Sequence, residues 1–149
     1  MRFRMEIPED RSHLGTLLTA IECALIDDEV DTEMRHDLLL ITEELACNAL
    51  DHGRPGAPDP KAVHNHISVE IVRHGDALHV EFRDAGRPFD PLVHPGPNLD
   101  VHILDRPVGG LGVHLIRELA ESVAYTREGP HNILRVVLRS PLPPDEITI

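Results

Sequence analysis

The chain of 149 residues has no uninterrupted apolar run of the roughly 18 residues needed to cross a bilayer as a helix, so no membrane segment is expected. Its opening, Met1-Arg2-Phe3-Arg4-Met5-Glu6, lacks the apolar stretch of a secretory signal, and a cytoplasmic protein is expected. Cysteine is scarce. Cys23 and Cys47 both sit inside apolar helical patterns, where a thiol behaves as a small hydrophobe, so buried free thiols are expected rather than a disulfide or a nucleophile. Basic side chains are few as well: 14 Lys and Arg stand against 26 Asp and Glu, a formal net charge of −12. That charge repels a nucleic-acid backbone and leaves no counterion-release term, which argues against nonspecific DNA or RNA binding. A phosphate-bearing ligand must then be held by backbone dipoles, a metal ion or a few placed cations. The 11 histidines lack metal-ligand spacing: His64 and His66 are one residue apart in a breaker-rich connection, with no Cys or HExxH companion, and a surface scatter is expected.

What is present reads as one domain over residues 1–149, with 41% hydrophobic residues and enough length to build a core without staples. Residues 1–7 alternate, with Phe3, Met5 and Ile7 on one side, as in a half-buried strand. Leu14, Leu17, Leu18, Ile21 and Leu25 then recur at helical spacing, and Asp27-Asp28-Glu29 ends that helix. Asp31 or Thr32 can cap a second helix, whose stripe Met34, Leu38, Ile41 and Leu45 runs on to Ala49 before Gly53 and Pro55 close it. Residues 54–65 are too rich in breakers for regular structure, and a loop is expected. Residues 66–73 and 77–83 alternate as strands of a hairpin turning at His74-Gly75-Asp76, with one face in the core. A proline-rich stretch from Asp84 to Val108 has the length of a lid, expected over about 85–108. A short helix from Gly110 through Leu119, strands over 122–127 and 132–138, and a loose tail over 141–149 complete the chain. Because strands run together rather than alternating with helices, the expected fold class is α+β: a two-layer sandwich, its sheet mixed but mostly antiparallel, with three helices on one face.

Three features carry candidate chemistry. Glu44, Asn48 and His52 are spaced four apart on the second helix and share a face beside the Leu38, Ile41, Leu45 stripe. Alone, this is also what a solvated helix face looks like, but Asn gives up helix propensity in a helix interior and wants a reason to be there. The strand over 77–83 ends on Asp84-Ala85-Gly86. A carboxylate there can accept hydrogen bonds from an exocyclic amine, and the glycine lets backbone approach a flat ligand, although the same residues also make an ordinary turn. Gly109-Gly110-Leu111-Gly112 opens an amphipathic helix, whose free N–H groups and dipole make an anion site or whose glycines make a hinge.

Taken together, Glu44-x-x-x-Asn48-Ala49-x-x-His52-Gly53, Asp84-x-Gly86 and Gly110-Leu111-Gly112-x-x-Leu115-Ile116 resemble the three nucleotide-binding boxes of the GHKL ATPase superfamily, the Bergerat or histidine-kinase-like ATPase fold. Within it, the single-domain length and the Glu/Asn/His spacing resemble the anti-sigma-factor serine-protein kinases of bacterial partner-switching systems. The resemblance spans the chain from the first strand to about Leu138. It implies ATP and Mg²⁺ as cofactors, with Asn48 as metal ligand, Glu44 as general base, Asp84 on the adenine amino group and Gly86 beneath the ring. It further implies Gly109, Gly110, Leu111 and Gly112 at the phosphates and His52 in the pocket wall. Pro88 stands where the family usually has a second glycine, and Gly109 where relatives often have Arg or Ser, so that Arg87 or Arg106 would supply the cation. Glu43 falls on another helical face than Glu44.

The expected function is therefore an ATP-dependent serine-protein kinase that phosphorylates a STAS-type anti-sigma-factor antagonist and alternately holds a sigma factor or similar target. No histidine stands in the phosphoacceptor setting of a two-component kinase. A regulatory module that binds ATP and switches partners without transfer is the alternative, and Glu44 separates the two. An apolar, alternating first strand at a sheet edge also suggests a homodimer, as the resemblance does.

Overall fold

The structure, a computed structural model, describes residues 1–52, 66–93 and 110–140. Gly53 with the expected loop over 54–65, residues 94–109 and the tail over 141–149 lie outside the described residues.

Strand β1 (Arg2–Pro8) keeps its alternation, with Ile7 buried, Phe3 and Met5 packed against the core, and Arg2, Arg4 and Glu6 exposed. Asp10 then accepts the Ser12 N–H at 3.0 Å and starts a single 3-10 turn over Arg11–His13, which feeds helix α1 (Leu14–Asp27). Leu17, Ile21 and Leu25 are its buried edge. The helix stops where Glu29 takes a left-handed φ of 56°, which lets the Val30 N–H reach the Leu25 carbonyl and the Glu29 N–H the Ile26 carbonyl, both at 3.0 Å. Helix α2 (Thr32–His52) is capped by Asp31, whose carboxylate accepts the Met34 N–H at 3.0 Å. Its stripe Met34, Leu38, Ile41 and Leu45 is buried as the spacing predicts.

Strands β2 (His66–His74) and β3 (Ala77–Asp84) form the expected hairpin, turning on two residues with Gly75 at a φ of 60° that suits a residue without a Cβ. After helix α3 (Gly110–Leu119), a second hairpin of β4 (Ser122–Glu128) and β5 (His131–Arg139) turns on Gly129 at a φ of 55°. The sheet order is β1-β2-β3-β5-β4, and every described pairing is antiparallel. Ile67, Val69 and Ile71 of β2, Leu78, Val80 and Phe82 of β3, and Leu134, Val136 and Leu138 of β5 form one apolar face, and the three helices close over it. This is the α+β two-layer sandwich expected from the pattern. The opposite face carries cross-strand ion pairs, Arg2 with Glu70 at 3.1 Å and Arg135 with Glu81 at 3.6 Å, each worth no more than about 1 kcal/mol at such exposure.

The thiols depart from expectation. Cys23 is exposed and Cys47 half-buried. Cys23 stands two residues from both Ile21 and Leu25, so helical geometry turns it about 200° from the edge that faces the sheet.

Candidate functional site

Antiparallel pairing sets the residues of one strand directly opposite those of the next, so a row across the sheet can be read from the register. At one end of the helix-covered face that row is Ile7, Ile67, Asp84, Asn132 and Arg127. It is apolar on β1 and β2 and polar on β3, β5 and β4. The row above it, Met5, Val69, Phe82, Leu134 and Tyr125, belongs to or packs against the core. The polar residues thus stand where the core ends and the sheet opens.

Asp84 closes β3 and folds the chain after it. Its Oδ1 accepts the Gly86 N–H at 2.9 Å, a turn built by the side chain on its own backbone. The same oxygen accepts Asn132 Nδ2 at 3.0 Å. The Gly86 carbonyl accepts from Arg127 at 2.7 Å and the Arg87 carbonyl from Asn132 at 2.8 Å, and the Phe89 N–H donates to Asn132 Oδ1 at 3.2 Å. Asp90 then accepts the Leu92 N–H at 2.8 Å in a short turn over Pro91–Val93, and Arg117 of α3 donates to the Leu92 carbonyl. Residues 85–93 are therefore pinned to β5, β4 and α3 at several points.

Helix α2 supplies the opposing wall. Its buried stripe brings Leu45, Asn48 and Ala49 over the end of the sheet, and between them and the strands lies a partly open cleft. Phe82 and Leu134 floor it, Asp84 and Asn132 line it with polar atoms, and Phe89, Pro91 and Tyr125 give it apolar sides. A mostly apolar cleft with few convergent polar groups suits a flat, heteroaromatic small molecule. Asn48 is 8% exposed, lines the cleft, and makes no side-chain hydrogen bond among the described residues. A buried amide left without a protein partner is costly unless something else satisfies it.

The structure brings Asn48 and Asp84 to one cleft. Gly86 is buried beside them in the Asp84 turn, and the Arg87 side chain is exposed. Glu44 lies one helical turn before Asn48, half-buried, and is not among the residues that line the cleft; Glu43 is exposed on another face. His52 is the last residue of α2 and Gly110 the first of α3, with Leu111 and Gly112 in its opening turn. Arg106 and Gly109 lie outside the described residues. Asn132, Tyr125 and Arg127 carry no local signal, because nothing in the pattern of neighbouring residues places the start of β5 against Asp84.

The fold and the cleft agree with a family match: residues 7–138 match the histidine kinase-like ATPase domain, and the chain belongs to that family. Its sequence is similar to the serine/threonine-protein kinase BtrW of Bordetella bronchiseptica, 27% identical over 121 residues, covering 80% of this chain and 81% of that protein. In fold it is similar to the RsbU and RsbW domains of Rv1364c from Mycobacterium tuberculosis, with a TM-score of 0.66, 13% identity and coverage of 93% of this chain. It is likewise similar to the histidine kinase domain of the EL346 blue-light-activated kinase of Erythrobacter litoralis, with a TM-score of 0.51, 21% identity and coverage of 89% of this chain. The chain spans 32% of the former solved chain and 61% of the latter. Among the described residues no helix is long and apolar enough to cross a membrane.

Proposed function

We propose that this protein binds Mg-ATP in the cleft between α2 and the end of β3 and transfers the γ-phosphoryl group to a serine of a partner protein. The observation that carries the reading is the cleft itself, with Asn48 on one wall, making no side-chain hydrogen bond among the described residues, and a pinned Asp84 carboxylate on the other. Phe82 and Leu134 would hold adenine and Asp84 would accept its exocyclic amine, and the start of α3 would receive the phosphates. There the first N–H groups of the helix lack intrahelical partners and favour anionic charge. Gly109, Gly110, Leu111 and Gly112 would supply those groups, with Arg87 or Arg106 as added cation.

Asn48 fits as a ligand for Mg²⁺: it offers a neutral amide oxygen, and among the described residues no hydrogen bond has to be broken to use it. Among the described residues no cluster of three or more His, Cys, Asp or Glu side chains could hold a metal, so the nucleotide's own oxygens and water would complete the shell. Bound there, the ion neutralises phosphate charge that a protein of net charge −12 would otherwise repel. Glu44, one turn away, takes the proton of the attacking serine hydroxyl as its oxygen bonds to the γ-phosphorus and the bond to the β,γ-bridging oxygen breaks, with ADP leaving. His52, the last residue of α2, would wall the same end of the site.

Similarity to a protein serine/threonine kinase and to a solved chain with an RsbW domain supports a partner-switching role. In it, the protein phosphorylates a STAS-type anti-sigma-factor antagonist and alternately sequesters a sigma factor or similar target in the cytoplasm. Strand β1, at the sheet edge, would pair with a second copy to make a homodimer. Light scattering at micromolar concentration would give twice the chain mass, and a monomeric mass would overturn that point.

The position of Glu44 outside the cleft lining favours a second reading, in which ATP is bound and partners are switched without transfer. Incubation with γ-labelled ATP and candidate antagonists decides between them. Transfer that Glu44→Ala abolishes supports the kinase, whereas ATP-driven partner release that survives Glu44→Ala without label on any antagonist supports binding alone.

A further inference from the structure

One buried polar side chain in the cleft wall has no part in the chemistry proposed above. Asn132 is 6% exposed, and its amide is fully engaged. Nδ2 donates to Asp84 Oδ1 at 3.0 Å and to the Arg87 carbonyl at 2.8 Å. Oδ1 accepts the Tyr125 hydroxyl at 2.6 Å, the Phe89 N–H at 3.2 Å and the Arg127 guanidinium at 3.2 Å. The amide has only one acceptable orientation. A carboxylate and a carbonyl can only accept and an N–H and a guanidinium can only donate, so turning the amide over would oppose like with like everywhere except at Tyr125.

With both N–H bonds spent, Asn132 has nothing left to offer a ligand, and its influence passes through Asp84. The carboxylate's Oδ1 is held from two directions, by Gly86 and by Asn132, and Oδ2 has no hydrogen-bond partner among the described residues. We propose that Asn132 is a positioning residue for base selection. By saturating Oδ1 it commits Oδ2 as the one acceptor presented to the base, and so sets a preference for a 6-amino purine, which donates there, over a 6-oxo purine, which accepts. Because the same amide carries the Arg87 carbonyl and the Phe89 N–H, the cleft's rim and its reading carboxylate are fixed as one unit. The inference rests on the assignment of Asp84 to the adenine amine.

A purely structural Asn132 predicts lost stability; a positioning Asn132 also predicts a new pH dependence. Asn132→Asp places a second carboxylate against Oδ1 of Asp84, and two carboxylates at that distance share a proton, so the pair titrates above the ordinary carboxylate range. The shared proton sits on the Oδ1 side, and by neutralising the carboxylate it weakens Oδ2, the acceptor that ATP needs. ATP affinity measured by calorimetry, expressed as the ratio of Asn132→Asp to the parent chain, is expected to fall roughly tenfold as pH drops from about 7.5 to 5.5. Asn132→Leu, uncharged and of similar size, is expected to lose most of the preference for ATP over inosine triphosphate. If either variant fails to fold, Tyr125→Phe removes one donor from Asn132 Oδ1 while keeping the ring in place, and the same preference is expected to shrink about threefold. Flat pH ratios together with an unchanged ATP preference would overturn the role of Asn132. Asp84→Asn separates the two levels: if it binds ATP like the parent chain, the adenine assignment itself fails; if it weakens ATP while the Asn132 and Tyr125 variants do nothing, only the positioning role fails.

Discussion

Asp84→Asn should exchange the base preference of the cleft rather than merely weaken it. In the parent chain Oδ1 of Asp84 is committed to two donors, the Gly86 N–H at 2.9 Å and Asn132 Nδ2 at 3.0 Å. An asparagine at this position must keep its oxygen on those donors, which forces its NH₂ into the place of Oδ2. The exocyclic amine of adenine then meets a donor where it met a charged acceptor. A hydrogen bond to a charged group contributes about 1.5–3 kcal/mol, so ATP affinity should fall roughly 10- to 150-fold. Inosine triphosphate, with an oxygen at the same ring position, gains a neutral hydrogen bond of about 1 kcal/mol and should bind about fivefold better than to the parent chain. Both native hydrogen bonds survive, so stability should stay within about 0.5 kcal/mol. Calorimetric titration of both nucleotides into both proteins, with thermal melts alongside, gives the comparison. Equal losses for the two nucleotides, or none for ATP, would refute the reasoning.

Two further outcomes follow from packing and charge. Leu38, fully buried at the centre of the α2 stripe, should cost about 2–5 kcal/mol when changed to alanine, read as a lower urea midpoint with little change in slope. Asp37 has its pKa raised, first by burial and then by Glu33 and Asp31, with His36 acting the other way. A carboxyl whose folded pKa lies above its unfolded value destabilises the fold once ionised, and the penalty is relieved as pH falls through the folded pKa. Asp37→Asn should therefore stabilise the chain at neutral pH by about 0.2–0.5 kcal/mol, the scale of a like-charge pair four residues apart, and the gain should vanish toward pH 4 or so. A gain that persists in acid would assign the effect to something other than this charge.

Much of the architecture was legible because each element carries a clean period. The alternation of Phe3, Met5 and Ile7, the three-and-four spacing of Leu38, Ile41 and Leu45, and the Gly75 turn all reappear as the structure's β1, α2 and hairpin. The Glu44-Asn48 spacing and the Asp84-x-Gly86 turn were legible as motifs for the same reason: they are local. Asn132 was not. It reads as an ordinary first residue of a strand, and its place opposite Asp84 depends on β5 entering the sheet between β3 and β4, a pairing across 48 residues that no local pattern encodes. The thiols were misread because an apolar neighbourhood in sequence does not fix the face of a helix, and Cys23 lies off the buried edge by two residues.

A Mg-ATP site built on Asn48 can be read out by titrating ATP with and without Mg²⁺ into the parent chain and into Asn48→Ala. Mg²⁺ should tighten ATP binding to the parent chain, and Asn48→Ala should lose most of that gain while keeping its fold. An Asn48→Ala protein that binds Mg-ATP as tightly as the parent chain would contradict it.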